Sequence, residues 1–199
     1  MAQLQSPTAT ATQVLENLLH QRRQCPDRVE AIDAQIRDRF GVTRAVVVLD
    51  MAGFSRLTET TGIIATLAEI QRMQEVVVPT LEANGGQMLK LEADNAYALF
   101  PTPDLALWAT HQLLQRLNQV NLQASIGIGY GELLLVGDRE VYGAEMNLAS
   151  KLGEDLAGPD EILITAAAHA ALTQPDWDFV RHSAALSGLE LTLYQLVRD

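Results

Sequence analysis

The segment Arg44-Ala-Val-Val-Val-Leu-Asp50-Met-Ala-Gly-Phe54 limits what this chain can become. Residues Ala45 to Leu49 are all apolar and run without a break into one carboxylate. A continuous, largely β-branched run of this length reads as a strand buried on both faces, inside a sheet that helices cover. Asp50 then falls where the strand meets solvent, and Gly53-Phe54 turns the chain into a segment of helical pattern. A carboxylate at that place is either a helix cap or a ligand.

The remaining chain supplies the partners for this strand. Residues 1–10 read as a frayed polar lead. Two amphipathic helices follow, Thr12–His20 and Asp27–Phe40, broken at Pro26 and closed by Gly41 as a C-cap. Residues 1–41 are therefore read as a helical extension and 42–199 as one domain. Within that domain Ile63–Leu81 is a long helix with Leu67, Ile70, Met73, Val77 and Leu81 on one face. Gln87–Phe100 reads as two strands around a tight turn at Glu92–Asn95, where Asp94 and Asn95 tolerate positive φ. Leu105–Leu117 is a helix. Leu122–Gly131 is a strand with glycines at alternate positions, which implies a close approach to its backbone. Glu132–Val136 is taken as a further strand, and Glu140–Gly143 as a lead into a helix over Ala144–Leu156. The strands Glu161–Ile164, Trp177–His182 and Glu190–Val197 close the chain. This order predicts an α/β (α+β) fold, one mixed sheet covered by helices.

Charge and cysteine usage narrow the partners. A net charge of −11 argues against nucleic acid and against an anionic membrane surface. Cys25 is the only cysteine, which excludes an internal disulfide and multi-cysteine zinc, and suggests a reducing, cytoplasmic setting. The first residues do not form a signal peptide, and no stretch approaches the roughly 18 apolar residues of a membrane span. The four histidines show no metal-ligand spacing. What stands out is a set of polar groups at element ends: Asp50, Asp94, and then Glu140, Asn147 and Lys151 around the start of one helix. Two aspartates at strand ends are a recurrent way to hold Mg²⁺, Mn²⁺ or Ca²⁺, which prefer oxygen ligands. Such ions polarise phosphoryl groups.

Three blocks in order resemble the class III adenylate/guanylate cyclase catalytic domain: Val48-Leu-Asp-Met-Ala-Gly-Phe54, Lys90-Leu-Glu-Ala-Asp94 through Phe100, and Ser125–Gly131 followed by Tyr142–Leu152. The resemblance covers about residues 42–197 and implies a ferredoxin-like βαββαβ core and a head-to-tail homodimer with active sites at the interface. It makes Asp50 and Asp94 the metal ligands, with Met51 and Glu92 beside them, and the cofactor Mg²⁺ or Mn²⁺, or Ca²⁺. It places Lys90, from the partner protomer of the one that supplies the metal aspartates, and Glu140 at the purine of a nucleotide such as ATP, with Phe54 also at the nucleotide. Asn147 would orient the ribose, and Lys151 would stabilise the transition state. The implied reaction forms 3′,5′-cyclic AMP and pyrophosphate. The sequence departs from the family in four places. Lys151 replaces an arginine, and Ala93 a glycine. Glu92 adds an acid, and Leu186-Ser187-Gly188 lacks the late lysine. A non-catalytic cyclase-like domain that senses a cation or nucleotide is the alternative.

Overall fold

The computed structural model describes residues 10–174, 176–186 and 189–197. Thr10 caps α1 (Ala11–Gln24) through its side chain, and Gln13 returns the bond to the cap backbone. After Cys25 and a short 3₁₀ turn, α2 (Val29–Phe40) folds back on α1. Leu15, Leu18, Ile32, Ile36 and Phe40 close a small core there with Val136. Gly41 ends α2, but not as a left-handed cap. Its φ is −68°, and the chain passes directly into β1 (Gly41–Met51).

Next come α3 (Phe54–Thr61) and α4 (Ile63–Ala83). The hairpin β2 (Gln87–Glu92) and β3 (Asn95–Phe100) follows, then α5 (Pro103–Gln119). β4 (Ala124–Val136) is one long strand rather than the two expected. The dipeptide Gly131-Glu132 reads as a break in sequence but stays paired with Arg44 and Thr43 of β1. β5 (Glu140–Tyr142) is a strand where only a turn was expected. α6 (Ala144–Ser150) continues as a π-helical turn over Lys151–Leu156, so the predicted helix is real but changes its winding halfway. β6 (Ile162–Thr165), α7 (Ala166–Ala170), β7 (Phe179–Leu186) and β8 (Leu189–Leu196) complete the chain.

The sheet runs β2-β3-β1-β4-β6-β8-β7, with β5 on β4. Its first four strands, with α4 and α5 as crossings, are the ferredoxin-like core that was expected, and the pairing is mixed because β4 and β6 run parallel. Ala45 to Leu49 are fully buried, as a strand covered on both faces requires. Ala45, Val47, Leu49 and Met51 face the main core with α4 and α5, while Val46 and Val48 face a second cluster with Tyr97, Leu133 and Ala149. Leu67 is the exception on α4: it is 54% exposed, whereas Ile70, Met73, Val77 and Leu81 are buried.

The alternate glycines of β4 explain the second face. A Cβ on Gly127 would lie 2.5 Å from Gly153 N and would also strike the carbonyl of Ala149. One on Gly129 would lie 2.5 Å from the Glu145 carbonyl. The glycines thus let α6 and its π turn lie directly on the strand backbone, and Gly153 approaches Val48 O in the same way. Gly127→Ala should therefore lower stability by about 1–3 kcal/mol, since the obstructing atoms are backbone and cannot rotate away. Urea denaturation with an unchanged m-value would measure this.

Candidate active site

β1 carries Asp50 to its end, opposite Asn95 of β3 and Ser125 of β4. By the strand's alternation Asp50 follows Val46 and Val48 onto the face covered by α6. The β2–β3 turn brings Asp94 to the same end. Met51 N–H donates to Asp94 O at 3.2 Å, which ties the turn to β1. The Asn95 amide, oriented to satisfy both neighbours, donates to Asp50 Oδ1 at 2.8 Å and to Leu49 O at 3.3 Å. The positive φ of this turn belongs to Ala93, at 52°, and not to Asp94 or Asn95 as the residue types suggested.

Asp50 is half-buried. Burial first, then the charges of Asp94 and Glu154, push its carboxyl up to about 6. Glu154 was not anticipated. It stands on the π turn after α6, and Tyr97 Oη donates to its Oε1 at 3.0 Å across a separation of 57 residues. Burial and Glu154 also push the Tyr97 phenol upward. No local pattern announces this contact. The available hint is the glycine before Glu154, which permits the close approach to Val48.

Lys90 pairs with Glu92 at 2.5 Å and stands 4.5 Å above the Tyr97 ring. Both members of that ion pair are well exposed, so it contributes at most about 1 kcal/mol and opens easily. Lys151 reaches Asp155 at 4.0 Å along its own helix. Asn147 is exposed on α6. Glu140 accepts from Tyr142 Oη at 3.0 Å and pairs in register with Val136, at the far end of β4 from Ser125 and Asp50. Met51 is buried in the main core with its N–H donating to Asp94 O, and the Phe54 ring packs against that core, so neither side chain is open to a ligand. Ser187 and Gly188 lie outside the described residues.

The structure therefore brings together Asp50, Asp94, Asn95, Tyr97 and Glu154, with Lys90 and Glu92 on the adjoining strand. It does not bring Glu140 to them within one chain. Among the described residues no three His, Cys, Asp or Glu side chains gather closely enough to hold a metal ion by themselves. The donor set suits a hard cation that takes two carboxylates and completes its shell with phosphate oxygens and water, as Mg²⁺ does. A cleft of about 300 Å³ opens at the start of α3, lined by Met51, Gly53, Arg56, Glu69 and Gln123 among others. A larger groove of about 520 Å³ lies elsewhere, between α1–α2 and the β4–β5 end. No helix among the described residues is long and apolar enough to cross a membrane.

No protein-family model and no curated protein matches this sequence. Solved structures do match. An adenylate/guanylate cyclase/hydrolase from Silicibacter pomeroyi is 25% identical, with a TM-score of 0.65 over 80% of this chain and 98% of that one. The adenylyl cyclase CyaB from P. aeruginosa is 19% identical, with a TM-score of 0.62 over 80% of this chain and 96% of that one. The catalytic core of a rhodopsin-guanylyl cyclase with converted specificity, in complex with ATPαS, is 13% identical, with a TM-score of 0.70 over 78% of this chain and 95% of that one. The fold is that of the class III adenylyl/guanylyl cyclase catalytic domain.

The raised pKa of Asp50 gives a stability prediction. Because its folded value of about 6 exceeds the ordinary value near 4, Asp50 favours folding below pH 4, and that contribution is lost as pH rises through 6. At pH 8 and without divalent cations, Asp50→Asn should raise Tm by roughly 2–4 °C, corresponding to about 1 kcal/mol in a chain of this size. At pH 4 the gap should close. Calorimetry at both pH values in EDTA checks it.

Proposed function

We propose that this chain, a class III cyclase homology domain by its fold, is a divalent-metal-dependent purine nucleotide cyclase that works as a homodimer on ATP. The observation that carries the reading is the placement of Asp50 and Asp94 side by side at the end of β1, on one face of this fold. In the proposed reaction the ribose 3′ oxygen attacks the α-phosphorus and the bond to the β-phosphate oxygen breaks. The 3′ proton goes to solvent, leaving 3′,5′-cyclic AMP and pyrophosphate.

Asp50 and Asp94 would hold the cation, Mg²⁺ or Mn²⁺, with Ca²⁺ as a further candidate. When bound, such a cation neutralises phosphate charge and favours the ionised 3′ oxygen. Asn95, donating to Asp50 Oδ1, fixes which oxygen of that carboxylate points outward. Gly53, at φ 82°, opens α3, whose first N–H groups lack helical partners and suit phosphate oxygens. Phe54 would serve through that backbone while its ring anchors the helix in the core. Lys90 would read the purine after leaving Glu92, and the Tyr97 ring keeps it positioned. Asn147 would orient the ribose, and Lys151 would face the phosphates. Glu140 stands at the opposite end of β4 from Asp50, so a site using both draws on two chains. This supports a homodimer, with residues 1–41 as an extension packed on the β4 end.

The second reading is a non-catalytic module that binds a cation or nucleotide. It is favoured by one observation: both lysines of the proposed site are engaged by acids of their own chain.

Purified protein incubated with ATP or GTP and with Mg²⁺, Mn²⁺ or Ca²⁺ separates the two. Cyclic AMP should form from ATP, and Asp50→Ala should abolish it. No cyclic nucleotide under any combination, with the cation still raising Tm, leaves the binding module. Within the cyclase reading, Lys151→Arg should raise kcat by roughly 10-fold or more, because a planar fork can pair two phosphate oxygens where an ammonium cannot. An unchanged kcat would place Lys151 outside the reacting centre.

A further inference from the structure

The π turn after α6 holds a carboxylate over the metal aspartates that the cyclase reading does not use. Gly153 lies against Val48 O of β1, so close that a Cβ there would stand 2.7 Å from it. Val48 pairs in register with Tyr97, and Asp50 with Asn95, the next pair on the same face of the ladder. Successive same-face pairs are about 7 Å apart along a strand. Glu154 follows Gly153, and its Oε1 accepts from Tyr97 Oη at 3.0 Å. Its carboxylate is thus anchored at the Val48–Tyr97 row and faces the Asp50–Asn95 row. A carboxylate held one row from the aspartates suits contact with a bound cation through an ordered water. The raised pKa of Asp50, to which Glu154 contributes, is consistent with the same placement. Glu154 is itself exposed, and nothing in the sheet or core requires a carboxylate there.

We propose that Glu154, clamped by Tyr97, is the outer-sphere carboxylate of the metal site, accepting from water bound to a cation at Asp50 and Asp94. This rests on the cyclase reading only for the position of the metal. Groups that orient a metal's own ligands in this way change affinity by roughly 10- to 100-fold when removed. π-helical turns occur often at functional sites, and here the turn has a definite task. An α-helical continuation would carry position 154 to a different angle around the helix. The Tyr97 ring has a second role, as the platform under Lys90. Tyr97→Phe keeps that platform and removes only the clamp.

The test is Mn²⁺ titration calorimetry on the full chain without nucleotide, so that no turnover is needed. Wild type should bind, and Asp50→Asn should not. Glu154→Gln should raise the Mn²⁺ Kd by roughly 10-fold or more, and Tyr97→Phe by several-fold. The double variant should be no weaker than Glu154→Gln alone, because the clamp has nothing left to hold. A Kd within twofold of wild type for Glu154→Gln, with Asp50→Asn still blocking binding, overturns this inference and leaves the cyclase reading intact. Additive losses in the double variant overturn the clamp. Absence of Mn²⁺ binding by the wild type overturns both the inference and the metal reading.

Discussion

The contact on which the rest depends is backbone against backbone, between β4 and α6. Gly127 and Gly129 present no side chain, so the helix and its π turn sit directly on the strand. Gly153 repeats the arrangement against Val48 on β1. Side chains at any of these places would collide with the facing backbone and push the helix off the strand. Asn147, Lys151 and Glu154 would move with it, relative to Asp50 and Tyr97. Glu145 locks the register from the other side, its Oε2 accepting from Tyr130 N–H at 3.1 Å and from Thr165 Oγ1 at 2.7 Å. A partly buried carboxylate beside glycines thus ties α6 to both β4 and the end of β6. The site is assembled on two rigid surfaces rather than on loops, which is what a constellation sensitive to a few tenths of an ångström requires.

The electrostatics follow from that rigidity. Asp50 and Asp94 are forced together by the end of β1 and the β2–β3 turn, and Glu154 is brought over them. Partial burial first, and then the like charges of Asp94 and Glu154, push the Asp50 carboxyl up to about 6. Without a cation, this arrangement opposes folding at neutral pH. A divalent cation at the proposed site would reverse the sign by offering a counter-charge to the carboxylates. Perturbed groups of this kind often mark functional sites, which is the physical argument for the cation site proposed above.

Much of this was legible in the sequence, for reasons tied to particular residues. Ala45–Leu49 could be read because a strand buried on both faces leaves no polar residue in the run. The glycines of β4 announced a close neighbour because no other reason places them at alternate positions in a strand. Other features were set by tertiary contacts and left no local mark. Leu67 fits the helical stripe of α4 yet is exposed, since the stripe outruns the surface that α4 covers. β4 reads as two strands at Gly131-Glu132 because polarity and glycine suggest a turn, and only pairing with β1 keeps it extended. The π turn has the composition of an ordinary helix end. Glu154 could not be matched to Tyr97 because their separation in sequence is 57 residues and Glu154 lies beyond the three blocks of resemblance. Asp50 and Asp94 were identified as a pair by resemblance, and the fold supplies the physical reason that they meet.

The charge balance bears on which reading of the site is stronger. Around the proposed cation position the acids Asp50, Glu92, Asp94, Glu154 and Asp155 outnumber Lys90 and Lys151, and each lysine is paired with an acid. A nucleoside triphosphate brings further negative charge into that field. It can enter only if cations come with it or if the lysines exchange their carboxylates for phosphate or base. Both exchanges cost little, because the Lys90–Glu92 and Lys151–Asp155 pairs are exposed and screened. The larger demand falls on the metal, which must offset the carboxylates and the phosphates together. A site of this kind would therefore be limited by cation occupancy before it is limited by the replacement of arginine with Lys151. Under the reading proposed above, Glu154 would then matter more than Lys151.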